Sequence, residues 1–420
     1  MVKIPEYELP DLSPAAAGAA RPAEVELLLG CARTALDPAQ AGRVRALHQG
    51  DLDWAYLTAL AWRQGVGPLL YWNLNELCPE ALPPAVLAEQ RQQFLANARK
   101  NLFWTAELLK LLDLLQGHGI GAMPYKGPAL IARLYGNLAL RQISDLDILV
   151  RRPDVGRARE LLLSQGYRQV SALDDGQDVT DLDTGYDYEF VRADGRVFLE
   201  LHWAFAPQKF FFPLRLETVW QRAAPVAVAG TQLPGLCPED MLLVLCVHLA
   251  AHCWRGTEGL KWVCDVAELL RVYPELDWDR LLAEANRVGS RRMLFLGLWL
   301  AHDLLGTPLP AAIRTYLQAD GAAQALSHQV RRRLFAENDE PISSGERNAF
   351  YLQMRERARE KVQYVAHWGR HKARPNAHDR ALLPLPDFLS FLYYALRSLR
   401  LAGKIALACL RRFLPRLPQA

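Results

Sequence analysis

The segment SDLDILV, residues 144–150, constrains this chain more than any other. Acids alternate there with apolar residues over a run too short for a helix, which is the period of a strand with one buried face. On such a strand Asp145 and Asp147 share a face, while Leu146 and Ile148 enter the core. Two carboxylates held that close repel each other unless something positive lies between them, and a divalent cation is the usual answer. The segment VFLELHW, residues 197–203, repeats the alternation and puts Phe198, Glu200 and His202 on one face. A charge placed mid-strand among apolar neighbours needs a partner, because burying it unpaired is costly. If the two strands lie side by side, Glu200 supplies a third carboxylate. Three acids suit Mg²⁺ or Mn²⁺, which take oxygen ligands and keep room for water and substrate phosphate.

The surrounding chain predicts an α+β protein that is mostly helical, with a small mixed sheet between helical regions. Residues 1–116 read as an N-terminal helical region, since apolar positions from Ala23 to Gln116 recur three and four apart and Gly117 and Gly119 close the last helix. Residues 117–215 form the mixed core. In it GAMPYKG is extended, GPALIARLYG is helical, and DLDILV is a half-buried strand. Pro153 then opens a helix that Gly166 ends, and two strands meet at Asp194-Gly195, a dipeptide favoured in type I′ hairpins. Residues 216–336 form a second helical region completing a cleft, entered through a Pro/Gly-punctuated connector with a short strand pair. Residues 337–420 comprise a polar loop over 337–348 and basic amphipathic helices.

The ordered set of motifs over residues 124–205 resembles the uncharacterised nucleotidyltransferase family of bacterial proteins, within the polymerase-β-like superfamily. The residues that carry the resemblance are Lys126-Gly127 before a helix, Arg141 ahead of Asp145 and Asp147 on a strand, Gly166-Tyr167 after the next helix, and Glu200, His202 and Trp203 on a later strand. The resemblance implies that Asp145, Asp147 and Glu200 are catalytic and hold the metal. It also implies a nucleoside triphosphate, ATP in the first instance, as substrate. One departure stands out: the wider superfamily has a Gly-Ser turn where this chain has Lys126-Gly127 followed by Pro128. Gly127 still permits close backbone approach at a helix N-terminus, which favours anions. Lys126 either adds a point charge to the phosphates or is an ordinary surface residue. Arg141 either contacts the triphosphate or forms a salt bridge that orients Asp145.

His248 and His252 lie four apart on one helical face, and Asp265 could complete a zinc site, although HLAAH lacks the glutamate of a zinc hydrolase. The resemblance instead makes His252, Lys261 and Asp265 cleft residues facing nucleotide or acceptor. The seven cysteines include no CxxC pair and read as reduced core residues. With 49 basic and 46 acidic residues, composition gives no reason to expect nucleic acid as a partner. A small molecule, peptide or protein is the expected acceptor. The N-terminal segment lacks the apolar run of a signal peptide and no long apolar run follows, so a cytoplasmic protein is expected. Arg397, Arg400, Lys404 and Arg411 recur opposite Leu396, Leu399, Leu407 and Leu410, so the last helix packs on the protein or contacts an anionic membrane peripherally. The runs Arg331–Arg333 and Arg355–Lys361 read as solvated helix faces. The leading function is metal-dependent transfer of a nucleoside monophosphate to an acceptor hydroxyl or phosphate with release of pyrophosphate. The alternative is a non-catalytic nucleotide-binding or interaction module on the same fold. The sequence carries no signal for oligomeric state.

Overall fold

The computed structural model describes residues 22–80, 82–170, 185–207, 210, 212–255, 257–336 and 343–373, with isolated positions between 389 and 400. Among the described residues, five helices come first: α1 (Pro22–Cys31), α2 (Pro38–Leu47), α3 (Trp54–Arg63), α4 (Gly67–Leu77) and α5 (Pro84–Gly117). Asp37 and Asp53 cap α2 and α3 by accepting from the backbone N–H three residues on, the role short acids fill at helix starts. On the long α5, Phe94, Asn97, Asn101, Trp104, Leu108, Leu111 and Leu115 form its buried stripe at three and four residue spacing.

The mixed core follows as β1 (Ala122–Pro124), α6 (Gly127–Leu134), β2 (Leu146–Val150), α7 (Val155–Ser164), β3 (Tyr167–Gln169), β4 (Asp187–Arg192) and β5 (Phe198–His202). Its five strands run in the order β1-β2-β5-β4-β3. Among the described residues, only β2 and β5 are parallel, and β1, β4 and β3 join them antiparallel. Strand β2 was expected to bury one face, yet all five of its residues are buried. It is an inner strand, and its acidic face is covered by the groups that answer Asp147. The Asp194-Gly195 connection is not a type I′ turn, because Gly195 has positive φ and Asp194 does not. Asp194 instead accepts from the Arg192 guanidinium and the Arg196 N–H, which fixes the turn through its side chain.

The remaining elements are α8 (Leu216–Gln221), the hairpin β6 (Ala224–Val228) and β7 (Thr231–Gly235), α9 (Pro238–His252), α10 (Gly259–Val272), α11 (Trp278–Val288), α12 (Arg291–Leu305), α13 (Ala311–Ala319), α14 (Gly321–Leu334), α15 (Ser344–Gln353) and α16 (Ala358–Ala373). The start of α10 is fastened to the N-terminal helices, since Glu258 N–H donates to Arg63 O at 2.9 Å and Lys261 N–H to Gln64 O at 3.0 Å. Gly65 permits this approach: a Cβ there would lie 2.8 Å from that of Lys261. Among the described residues, one apolar core runs through the N-terminal helices, the mixed sheet region and the later helices, from Leu27 to Tyr364. Two expectations fail in the last part. Residues 344–348 are not loop but the start of α15, which Ser343 and Glu346 cap reciprocally. Arg355 is not on a solvated face but fully buried, where it donates to Phe210 O. The tail bearing Leu399 to Arg411 lies almost wholly outside the described residues.

Candidate active site

Strand register builds the site. Asp147 on β2 stands opposite Glu200 on β5, and Glu200 in turn stands opposite Glu189 on β4. One row further along, His202 stands opposite Asp187. Neighbouring residues in register share a face, so the three strands carry one acidic surface with a histidine set into it. Donor atoms of Asp147, Glu200 and His202 lie within 4.8 Å of one another, as do those of Asp187, Glu189 and Glu200. Asp145 sits just ahead of β2, half-buried and outside both groups.

Lys126 is the N-cap residue of α6, and its Nζ lies 2.5 Å from Asp147 Oδ1. The turn that delivers it needs Gly127, whose φ is +57° and where a Cβ would meet the Asp145 carbonyl oxygen at 3.4 Å. His202, 1 % exposed, places Nε2 3.3 Å from Asp147 Oδ1 and 3.0 Å from Glu200 Oε2. Tyr125 and Phe205 pack edge to face in a chain with the His202 ring. Burial pulls the His202 pKa down, but Asp147, Glu200 and Asp187 together outweigh it and hold it up at about 10, so the imidazole is charged. Burial pushes the Asp147 carboxyl up, yet Lys126 and His202 overcome it and keep it well below the usual carboxylate range. Asp145 goes the other way, to about 7, through burial first and then Asp147 and Glu200. Asp187 also rises to about 7, through burial foremost; His202 opposes the rise, while Glu200 and Glu189 add to it.

The loop leading to Asp145 is held from both sides. From α5, Asn97 Nδ2 donates to Ala139 O at 2.9 Å, Asn101 Nδ2 to Arg141 O at 2.8 Å and Lys100 Nζ to Ile143 O at 2.8 Å. From α10, Asp265 takes Arg141 in a two-pronged ion pair, Nε to Oδ1 and Nη2 to Oδ2, each at 2.6 Å. Tyr135 donates its hydroxyl to the same carboxylate at 2.7 Å. Arg141 and Asp265, both expected at the ligand, are thus joined to each other, and the Arg141 guanidinium turns to Asp265 rather than to Asp145. Burial works against the Arg141 charge, but Asp265 outweighs it.

Lys261 is buried at the start of α10, its Nζ 3.0 Å from Glu258. His248 and His252 are half-buried with ring centroids 4.5 Å apart, both against Trp262. Burial and then the charges of Lys126, His252, Lys261 and Arg141 hold His248 well below its ordinary pKa. Among the described residues, His248, His252 and Asp265 do not form a group with converging donors, because Asp265 is committed to Arg141 and Tyr135. The six described cysteines are buried and free. Sequence reasoning missed Asp187 and Glu189, although YDYEF repeats the alternation of DLDIL. It also missed Asn97 and Asn101, whose signal is a polar residue twice in the apolar stripe of α5.

A small mixed sheet edged by helices, with carboxylates gathered on one face and a lysine at a helix start paired with one of them, defines a nucleotidyltransferase-like protein. Residues 50–306 match the profile of the family described as "Uncharacterised nucleotidyltransferase", and the chain belongs to that family. Among solved structures, an antigenic nucleotidyltransferase-like protein from Paracoccidioides brasiliensis is similar at 16 % identity and a TM-score of 0.28, over 51 % of this chain and 94 % of that one. No curated protein matches. No helix among the described residues is long and apolar enough to cross a membrane.

Proposed function

We propose that this chain is a metal-dependent nucleotidyltransferase that moves a nucleoside monophosphate from a triphosphate, ATP in the first instance, to an acceptor hydroxyl or phosphate. The observation that carries the reading is the register of Asp147 against Glu200, with Lys126 Nζ 2.5 Å from Asp147 Oδ1. The donor set fits Mg²⁺ or Mn²⁺: it is rich in carboxylate oxygen, and Asp147 Oδ2 and Asp187 Oδ2 are buried without a hydrogen bond among the described residues. Asp147 and Glu200 would hold the metal, and Asp145, outside their converging group, would join them from just ahead of β2. When bound, such ions lower the acceptor's pKa and neutralise the triphosphate and departing pyrophosphate.

The chain's own groups supply the rest. Lys126 leaves Asp147 for the phosphates, and Gly127 lets the α6 N-terminus come close to them. His202, buried and charged, keeps Glu200 and Asp147 aimed. His252 and Lys261 line the helical wall toward nucleotide and acceptor, while Arg141 and Asp265 act as positioning residues through the 138–145 loop. The acceptor enters over β4, where Asp187 takes its proton; a carboxyl held at about 7 suits that task. The acceptor oxygen bonds to the α-phosphorus as the bond to the β-phosphate oxygen breaks. The balanced charge of the chain favours a small molecule, peptide or protein over nucleic acid as acceptor. In the test, Asp147→Asn retains the fold and loses pyrophosphate release against a cell extract; equal release by the variant defeats the proposal.

A second reading, a non-catalytic nucleotide-binding module, draws on the Lys126–Asp147 ion pair, which neutralises the carboxylate's charge without a metal. Calorimetry separates the two: tight triphosphate binding with no pyrophosphate released against any acceptor pool favours the module.

A further inference from the structure

The outward face of α16 is apolar where a solvated helix would be polar. Val362, Val365 and Trp368 recur three apart and are 67 %, 50 % and 41 % exposed, while Glu360 and Tyr364 face inward and are buried. The flanks are cationic, with Arg359 and Lys361 exposed beside the apolar strip. In the sequence, the run Arg370, His371 and Lys372 begins two residues after Trp368. The helix's one acid, Glu360, is on the buried side. An apolar strip between basic flanks, with a tryptophan at its border, is the pattern of a helix lying at a membrane interface.

We infer that the outward face of α16 docks on an anionic lipid surface, with Val362, Val365 and Trp368 entering the headgroup boundary and Arg359 and Lys361 meeting lipid phosphates. Charge selects this occupant over the chain's own tail. Residues 374–420 carry eight basic residues against two acidic, so laying the tail on α16 would bring cation against cation. The tail's alternation of Leu396, Leu399, Leu407 and Leu410 with Arg397, Arg400, Lys404 and Arg411 extends the same chemistry to the same partner. A nucleic acid would leave the aliphatic strip uncovered, whereas lipid satisfies both strip and flanks.

The test is co-sedimentation of the full chain with vesicles of phosphatidylcholine alone or mixed with phosphatidylglycerol. The protein should pellet with the mixed vesicles only, and less as salt rises. Val362→Glu with Val365→Glu, both exposed and so harmless to folding, should weaken binding at least about tenfold at an unchanged unfolding midpoint. Arg359→Gln and Lys361→Gln should each weaken it about fivefold. No pelleting with mixed vesicles overturns the inference, and so does equal binding to both vesicle types. Wild-type binding by the Val362→Glu, Val365→Glu variant overturns it too, because the tail alone would then be responsible. A concentration-dependent dimer that the same variant abolishes would identify a second copy as the occupant and likewise overturn it.

Discussion

Replacing Lys126 with methionine keeps most of the side chain's apolar volume and removes the charge 2.5 Å from Asp147. Asp147 is 2 % exposed, so the carboxylate cannot turn to water. Breaking one side of a buried ion pair costs roughly 3–5 kcal/mol. His202 remains 3.3 Å from the same oxygen, which points to the lower end, about 3 kcal/mol. At roughly 2 °C per kcal/mol for a chain of this size, the metal-free variant should unfold about 6 °C below the wild type near neutral pH. The substitution also removes the group that a divalent cation must displace from Asp147. Added Mn²⁺ should therefore raise the variant's midpoint by more than it raises the wild type's, recovering most of the loss. Thermal unfolding followed by intrinsic fluorescence, with chelator and then across a Mn²⁺ titration, measures both quantities. Equal metal-induced shifts in the two proteins, or a variant as stable as wild type in chelator, would refute the reasoning.

Arg141→Met should cost about 3–5 kcal/mol, because it strands Asp265 in the core, and Arg141→Lys should recover little since a point charge cannot span both oxygens; chemical unfolding curves check both. Asp187→Asn should lower turnover at least about tenfold with little change in triphosphate affinity, read by separating KM from kcat. Asp145 and Asp187 are held near 7 against an ordinary 3.8. The folded chain thus keeps protons that the unfolded chain has lost, and their contribution is full below the unfolded value and lost as pH rises to about 7. Metal-free protein should accordingly melt lower at about pH 8 than at about pH 5, and Mg²⁺ should stabilise it more at the higher pH. His202, raised to about 10, adds stability that is complete below its ordinary 6.5 and is lost progressively as pH rises to about 10.

The sheet and the heart of the site were legible because strands announce themselves by period. The alternations in DLDIL and FLELH state which side chains share a face, and register then brings Asp147 to Glu200. The helices before and after were legible for the same reason at their own period. What was not legible depends on side chains choosing partners across long separations. Arg141 and Asp265 are 124 residues apart and nothing local says that they pair. The burial of Arg355 is set by Phe210, equally remote. The start of α15 was hidden because Ser343 and Glu346 read as loop residues until the capping pair is recognised. Asp187 and Glu189 are legible by the same rule, since YDYEF carries the acid alternation of DLDIL.

Metal-dependent nucleotidyl transfer is tested most directly by where a label goes. The full chain is incubated with Mn²⁺, a cell extract and a nucleoside triphosphate labelled at either the α- or the γ-phosphate, alongside Asp147→Asn. The account predicts that α-label becomes attached to an acceptor, that γ-label leaves as pyrophosphate, and that the variant attaches neither. Attachment of γ-label, or equal α-labelling by wild type and variant, would contradict it.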